Sequence, residues 1–171
     1  MRSENKKEAK YILQLQNRPL KLGYFYLTIK VHKLTPDKPL TGRPICASIN
    51  TITYHCSKWL NELVPFMKLA KSFITQSSDL ILDIENKQLS ANCCLLTADV
   101  DALYPSIIIE DGLSALNAVL LHFNSENRQL IVELAQWVLT NNFVAFSTRI
   151  FHQIRGTAMG TPFAVLMRTS I

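Results

Sequence analysis

The sequence predicts an α+β fold in which an antiparallel sheet packs with helices. Three observations point there. Two pairs of short runs rich in aromatic and β-branched residues flank turn-rich segments: Tyr24–Val31 with Arg43–Ser48, and Phe143–Phe146 with Ile150–Ile154. Such pairs read as β-hairpins. Between them, apolar residues recur at helical spacing in several stretches. The apolar run Cys93-Cys94-Leu95-Leu96-Thr97-Ala98, bounded by polar residues, reads as a strand packed on both faces.

Taken in order, Ser3 to about Asn17 reads as a charged helix stopped before Pro19. The first hairpin follows, its arms joined by a Pro-rich loop from His32 to Gly42. Thr53 is a candidate N-cap for a helix carrying Cys56, Trp59, Leu60, Leu63 and Met67 on one face. Trp59 belongs with the core. Ser78-Asp79 opens a second helix that runs to about Leu89, ahead of the strand Cys93–Val100. Tyr104-Pro105-Ser106 is a turn. Ile109, Leu113, Leu116, Leu120 and Phe123 mark a third helix weakened by Gly112. Ser125-Glu126 opens a fourth, with Leu130, Ile131, Leu134 and Val138 inward. The second hairpin turns at Ser147-Thr148-Arg149. Thr161 then caps a last helix with Pro162 at its first position. The sequence stops a few residues into that helix, which predicts a truncated domain.

At 171 residues and 48% hydrophobic, the chain is expected to form about one domain with a real core. Nothing approaches the ~20 apolar residues of a membrane span. The charged N-terminus has no apolar segment behind it, so an intracellular, non-secreted protein is expected. Cys46, Cys56, Cys93 and Cys94 fit no zinc spacing and read as reduced, buried thiols. The four histidines carry no metal pattern. Charge is divided unevenly. Residues 1–71 hold 13 Lys/Arg against 4 Asp/Glu, and residues 72–171 hold 5 against 9, nets of +9 and −4. A basic front half points to a polyanion or nucleotide partner.

Three segments carry candidate chemistry. Asp99 ends the apolar run, and an ionised carboxylate there needs a partner or a metal. A divalent cation such as Mg²⁺, shared with substrate phosphates, points to phosphoryl transfer. Asp101 fits better as a cap on the turn that follows. The two glycines Gly156 and Gly160, beside Arg155 and ahead of a helix, allow close backbone approach to a ligand. Alone they read as an ordinary turn. Lys30, Lys33 and Arg43 line the first hairpin and suit phosphate oxygens, or else solvate its edge.

The order of these segments resembles the fingers and palm of a reverse transcriptase, best the Penelope-like retroelement type. Ile29-Lys30-Val31-His32-Lys33 with Gly42-Arg43-Pro44-Ile45 is similar to the family's fingers segment, and Ser48 to Leu60 to the stretch after it. Leu96-Thr97-Ala98-Asp99-Val100-Asp101-Ala102-Leu103-Tyr104 resembles the first catalytic motif. Gln153-Ile154-Arg155-Gly156-Thr157-Ala158-Met159-Gly160-Thr161-Pro162 resembles the "Q-x-x-G-x-x-M-G-x-P" motif. The resemblance covers about residues 24 to 165. It implies a partial right-hand polymerase in one domain spanning 1–171, fingers-like over 1–90 and partial palm over 91–171, with the rest of palm and thumb in a longer parent.

The roles it implies are those of RNA-directed DNA synthesis. Asp99 and the Val100 carbonyl would hold Mg²⁺ or Mn²⁺. Tyr104 would lie under the incoming sugar. Lys33 and Arg43 would grip the triphosphate, with Lys30 a further candidate. Gln153, Gly156, Met159 and Gly160 would line the nucleotide and template side, beside Arg155. Partners would be an RNA template, a DNA primer and dNTP, with no membrane. The family's aromatic-x-Asp-Asp motif does not occur in this sequence, and Val165 stands where the family has proline. The chain alone is therefore expected not to polymerise. Two other readings remain open. One is a non-catalytic nucleic-acid-binding retroelement remnant. The other is a nucleotide-sugar transferase using Asp99-Val100-Asp101 as its metal motif.

Overall fold

In a computed structural model, the described residues are 10, 19–31, 36–37, 39–62, 76–88, 90, 92–94, 96–123 and 125–170. The expected N-terminal helix lies outside them, save Lys10, which is helical. Four strands and six helices occur among the described residues. The strands are β1 (Gly23–Ile29), β2 (Gly42–Ala47), β3 (Phe143–Phe146) and β4 (Arg149–His152). The helices are α1 (Tyr54–Glu62), α2 (Ser77–Glu85), α3 (Leu103–Ser106), α4 (Ile109–His122), α5 (Arg128–Thr140) and α6 (Phe163–Ser170).

Both expected hairpins form. β1 pairs antiparallel with β2, from Tyr24 opposite Ala47 to Ile29 opposite Gly42. β3 pairs antiparallel with β4, from Phe143 opposite His152 to Phe146 opposite Arg149. They join through a parallel β1–β3 contact, Gly23 with Val144 and Tyr24 with Ala145, in the order β2-β1-β3-β4. The sheet is therefore mixed, which corrects the antiparallel expectation. A junction made between residues far apart in sequence leaves no local pattern. β2 lies at an edge, which accommodates Pro44, since proline donates no ladder hydrogen bond.

The helices build their own core. Cys56 and Leu60 of α1, Leu116 and Leu120 of α4, Ile131, Ala135, Val138 and Leu139 of α5, and Phe163 and Met167 of α6 are buried together. In α5 the buried positions follow the 3.6-residue period, as a helix with one inward face requires. Leu130, expected inward, is exposed, because that face is centred on Ala135. Trp59 packs against this core as expected. Gly112 occupies the interior of α4 for a packing reason. A Cβ there would collide with the Met167 side chain. Full burial of side chains such as Leu60 and Phe163 stabilises by about 1.5–3 kcal/mol each. The sheet has a separate small cluster of Cys46, Val144 and Ala158, with Phe25 against it.

Helix ends also depart from expectation. α2 starts one residue before Ser78, where the Gln76 N–H donates to an Asp79 carboxylate oxygen at 3.1 Å. It ends at Glu85 rather than Leu89, because the Asn86 amide donates to the Leu82 carbonyl at 2.7 Å. α1 ends its described span at Glu62, and Leu63 and Met67 lie outside the described residues. The Tyr104 turn is the single helical turn α3, entered through Ala102 in the left-handed region. α6 begins at Phe163, and its first N–H is met by Ser57 of α1, 106 residues away, at 2.9 Å. Thr161, expected as the cap, instead donates its hydroxyl to the Ala158 carbonyl.

The largest correction concerns Cys93–Val100. The described residues there form no strand and are exposed, Leu96 at 88% and Val100 at 60%. Strand preference expresses packing against neighbours rather than a backbone habit, and no strand of the sheet pairs with this run. Cys93 and Cys94 are exposed with it, whereas Cys46 and Cys56 are buried.

Removing the buried cap with Ser57→Ala is expected to destabilise the fold by about 1–2 kcal/mol, read as a lowered urea midpoint at unchanged slope. Cys93 and Cys94 are expected to react rapidly with a thiol reagent in the native protein, and Cys46 and Cys56 only on unfolding.

Candidate functional site

The segment from Gln153 to Gly160 is held between β2 and α3. The Cys46 N–H donates to the Met159 carbonyl at 2.7 Å, outside the β1–β2 ladder. Ser48 Oγ donates to the Gly160 carbonyl at 3.2 Å, across 112 residues of sequence. On the other side the Thr157 N–H donates to the Tyr104 carbonyl at 2.8 Å.

Both glycines are required by this geometry. Gly156 has φ +70°, and a Cβ there would lie 2.6 Å from the Tyr104 carbonyl oxygen and 2.6 Å from Pro105 Cα. Gly160 has φ +109°, and its Cβ would lie 2.8 Å from the Cys46 carbonyl oxygen. Residues with a Cβ avoid such conformations, and backbone atoms cannot move aside cheaply.

Gln153 ties three parts together. Its Oε1 accepts from Asn142 Nδ2 at 2.6 Å and from the Cys46 thiol at 4.0 Å. Its Nε2 donates to the Arg155 carbonyl at 2.9 Å. Both ends of the amide are thus engaged within the protein. His152 stacks on Phe143 at 4.4 Å, and its Nε2 lies 2.8 Å from the Thr140 carbonyl.

These contacts enclose an open pocket of about 440 Å³ over one face of the sheet. Phe25, Cys46, Val144 and Phe146 form its floor, and Pro105, Thr157 and Met159 its wall. Phe25 and Phe146 meet edge to face at 5.5 Å between centroids. Burial pushes the Cys46 thiol pKa up, against a smaller lowering from its hydrogen bond with Asn142. Burial pushes Cys56 up to about 11. Both shifts favour the protonated thiol over the reactive thiolate.

The expected site residues separate into two groups. Gln153 and Met159 line the pocket, Gly156 and Gly160 shape its wall, and Tyr104 is fixed to it by its carbonyl. Arg43 is exposed on β2 opposite Thr28, while its neighbour Pro44 lines the pocket, because successive strand residues face opposite sides. Lys30 follows β1, its N–H bonded to the Thr41 carbonyl, and Arg155 is exposed. Lys33 lies outside the described residues. Asp99, Val100 and Asp101 are exposed and do not line the pocket. The Asp101 carbonyl accepts from Ser106 Oγ at 3.5 Å, a backbone contact where a side-chain cap was expected.

The burial argument for a metal at Asp99 therefore loses its premise. Among the described residues no group of three or more His, Cys, Asp or Glu side chains could hold a metal ion. Asp99, Asp101 and the Val100 carbonyl do not fit a two-metal centre, which needs carboxylates converging on both ions. Sequence reasoning missed Thr157, Ser48 and the phenylalanines of the floor. Strand alternation carried a signal for the phenylalanines. Ser48 and Thr157 had none, since their partners are distant.

Gly156→Ala is expected to destabilise the protein by at least about 1–2 kcal/mol, measured by chemical denaturation, with the pocket wall displaced. Beyond the geometry, no protein-family model, curated protein or solved structure matches this chain.

Proposed function

We propose that this chain is the fingers and part of the palm of a reverse-transcriptase-type polymerase. Its parent reaction is RNA-directed DNA synthesis, and the 171-residue chain itself binds nucleic acid without turnover. One observation carries the reading. Three segments that resemble the family's motifs, well separated in sequence, converge on one pocket: the Gly42–Ile45 arm, the Tyr104-Pro105 turn and the Gln153–Gly160 loop. That convergence rests on backbone hydrogen bonds and on two glycines that no other residue replaces without strain.

The basic front half supports a polyanionic partner. Residues 1–71 carry a net charge of +9, and Arg43 is exposed, free to meet phosphate oxygens of an RNA template or a DNA primer. Binding of that kind depends on salt. No helix among the described residues is long and apolar enough to cross a membrane. An intracellular setting, nuclear or cytoplasmic, accords with a nucleic-acid partner.

Lack of turnover follows from the donor set. Mg²⁺ or Mn²⁺ serves the parent reaction, but the exposed Asp99 and Asp101 with the Val100 carbonyl give weak coordination at most. The non-catalytic remnant and the polymerase segment thus share one behaviour in this chain. A nucleotide-sugar transferase needs its carboxylate pair beside a sugar-nucleotide pocket, and Asp99 and Asp101 stand outside the pocket described above.

Two measurements test the proposal. Primer extension with dNTP and Mg²⁺ is expected to give no product, and metal-dependent incorporation would refute the assigned lack of turnover. Binding to single-stranded RNA is expected to weaken with salt, and Lys30→Ala combined with Arg43→Ala to flatten the log–log slope by roughly 1.4. Salt-independent binding, or none, would remove the nucleic-acid reading.

A further inference from the structure

We propose that Cys93 and Cys94 together form a vicinal dithiol site that chelates a trivalent arsenical, each sulfur supplying one bond. The proposal does not rest on the polymerase reading.

Two observations carry it. The first is access. Cys93 and Cys94 are adjacent in the chain and both exposed, whereas Cys46 lies in the sheet cluster and Cys56 in the helical core. In a strand, neighbouring side chains stand on opposite faces, and two such thiols would not share a ligand. The structure removes that constraint, because the described residues from Cys93 to Val100 form no strand. The Cys93 N–H instead donates to the Ser90 carbonyl at 3.1 Å, closing a turn just ahead of the pair. Adjacent Cα atoms are about 3.8 Å apart, and exposed side chains change rotamer on the picosecond-to-nanosecond scale. Both sulfurs can therefore reach one centre.

The second is the donor count. Among the described residues no group of three or more His, Cys, Asp or Glu side chains could hold a metal ion. The pair thus brings two soft donors and no third, where structural zinc takes four. Thiolate sulfur selects soft centres. A trivalent arsenic that carries one organic group has two bonds left for sulfur, which matches that count. With phenylarsine oxide, two As–S bonds form, the arsenic–oxide bond breaks, and the two thiol protons leave with the oxide oxygen as water. Arsenic stays trivalent, so no oxidant or reductant is needed. The second As–S bond closes within one molecule at high effective concentration, and a competing monothiol must displace both.

The test adds phenylarsine oxide to the reduced protein in excess mercaptoethanol and reads the intact mass under native conditions, with peptide mapping of the adduct. One arsenical per chain is expected, on the peptide holding Cys93 and Cys94, stable to the monothiol and released by ethanedithiol. Cys93→Ser and Cys94→Ser, both at exposed positions, should each weaken retention by about a hundredfold or more. No adduct, two arsenicals on the pair, or an adduct placed on Cys46 or Cys56 would overturn the site. So would an adduct on the unmodified protein that mercaptoethanol strips away. These readouts on the unmodified protein decide the matter even if a variant did not fold. The adduct is measured without RNA, so failure of this site and failure of the nucleic-acid reading are separate results.

Discussion

The segment Arg155–Gly160 can sit where it does only because it is bonded on two sides. Cys46 of β2 donates to the Met159 carbonyl on one side, and Tyr104 accepts the Thr157 N–H on the other. Backbone bonds of this kind demand close approach, and close approach demands glycine. Gly156 passes Pro105 and Gly160 passes Cys46 at distances that exclude a Cβ. Beyond the clamp the chain continues to Phe163, whose N–H donates to Ser57 Oγ. The sheet cluster and the helical core are separate, and the chain from Ala158 in one to Phe163 in the other runs between them.

The chemistry of the site follows from what the clamp assembles and what it leaves out. It gathers aromatic rings, a thioether and neutral polar groups. It leaves the carboxylates of Asp99 and Asp101 in solvent and Arg43 on the opposite side of β2. Charge and apolar surface are thus segregated. The pocket presents apolar and neutral polar side chains.

Exposure of Leu96 and Val100 marks a second consequence. An apolar run with β-branched neighbours becomes a strand when a ladder and a covering layer receive it. The sheet order β2-β1-β3-β4 includes none of the described residues of 93–100, and these are exposed. Placing Asp99 at the end of a buried strand assumed tertiary partners that composition cannot supply.

The sequence by itself determined the features governed by near neighbours. Alternating aromatic and β-branched residues specified both hairpins, and the 3.6-residue period specified α4 to within a residue and α5 to within about three. Gly156 and Gly160 were legible as points of close approach, although not what they approach. Tertiary structure decided everything that depends on residues distant in sequence. It joined the hairpins in parallel at Gly23, capped α6 with Ser57, paired Thr157 with Tyr104 and left the described residues of Cys93–Val100 outside the sheet. The physical reason is the range of each signal. Periodicity and turn chemistry act over a few residues, whereas a hydrogen bond across 112 residues leaves no trace in either partner's local sequence.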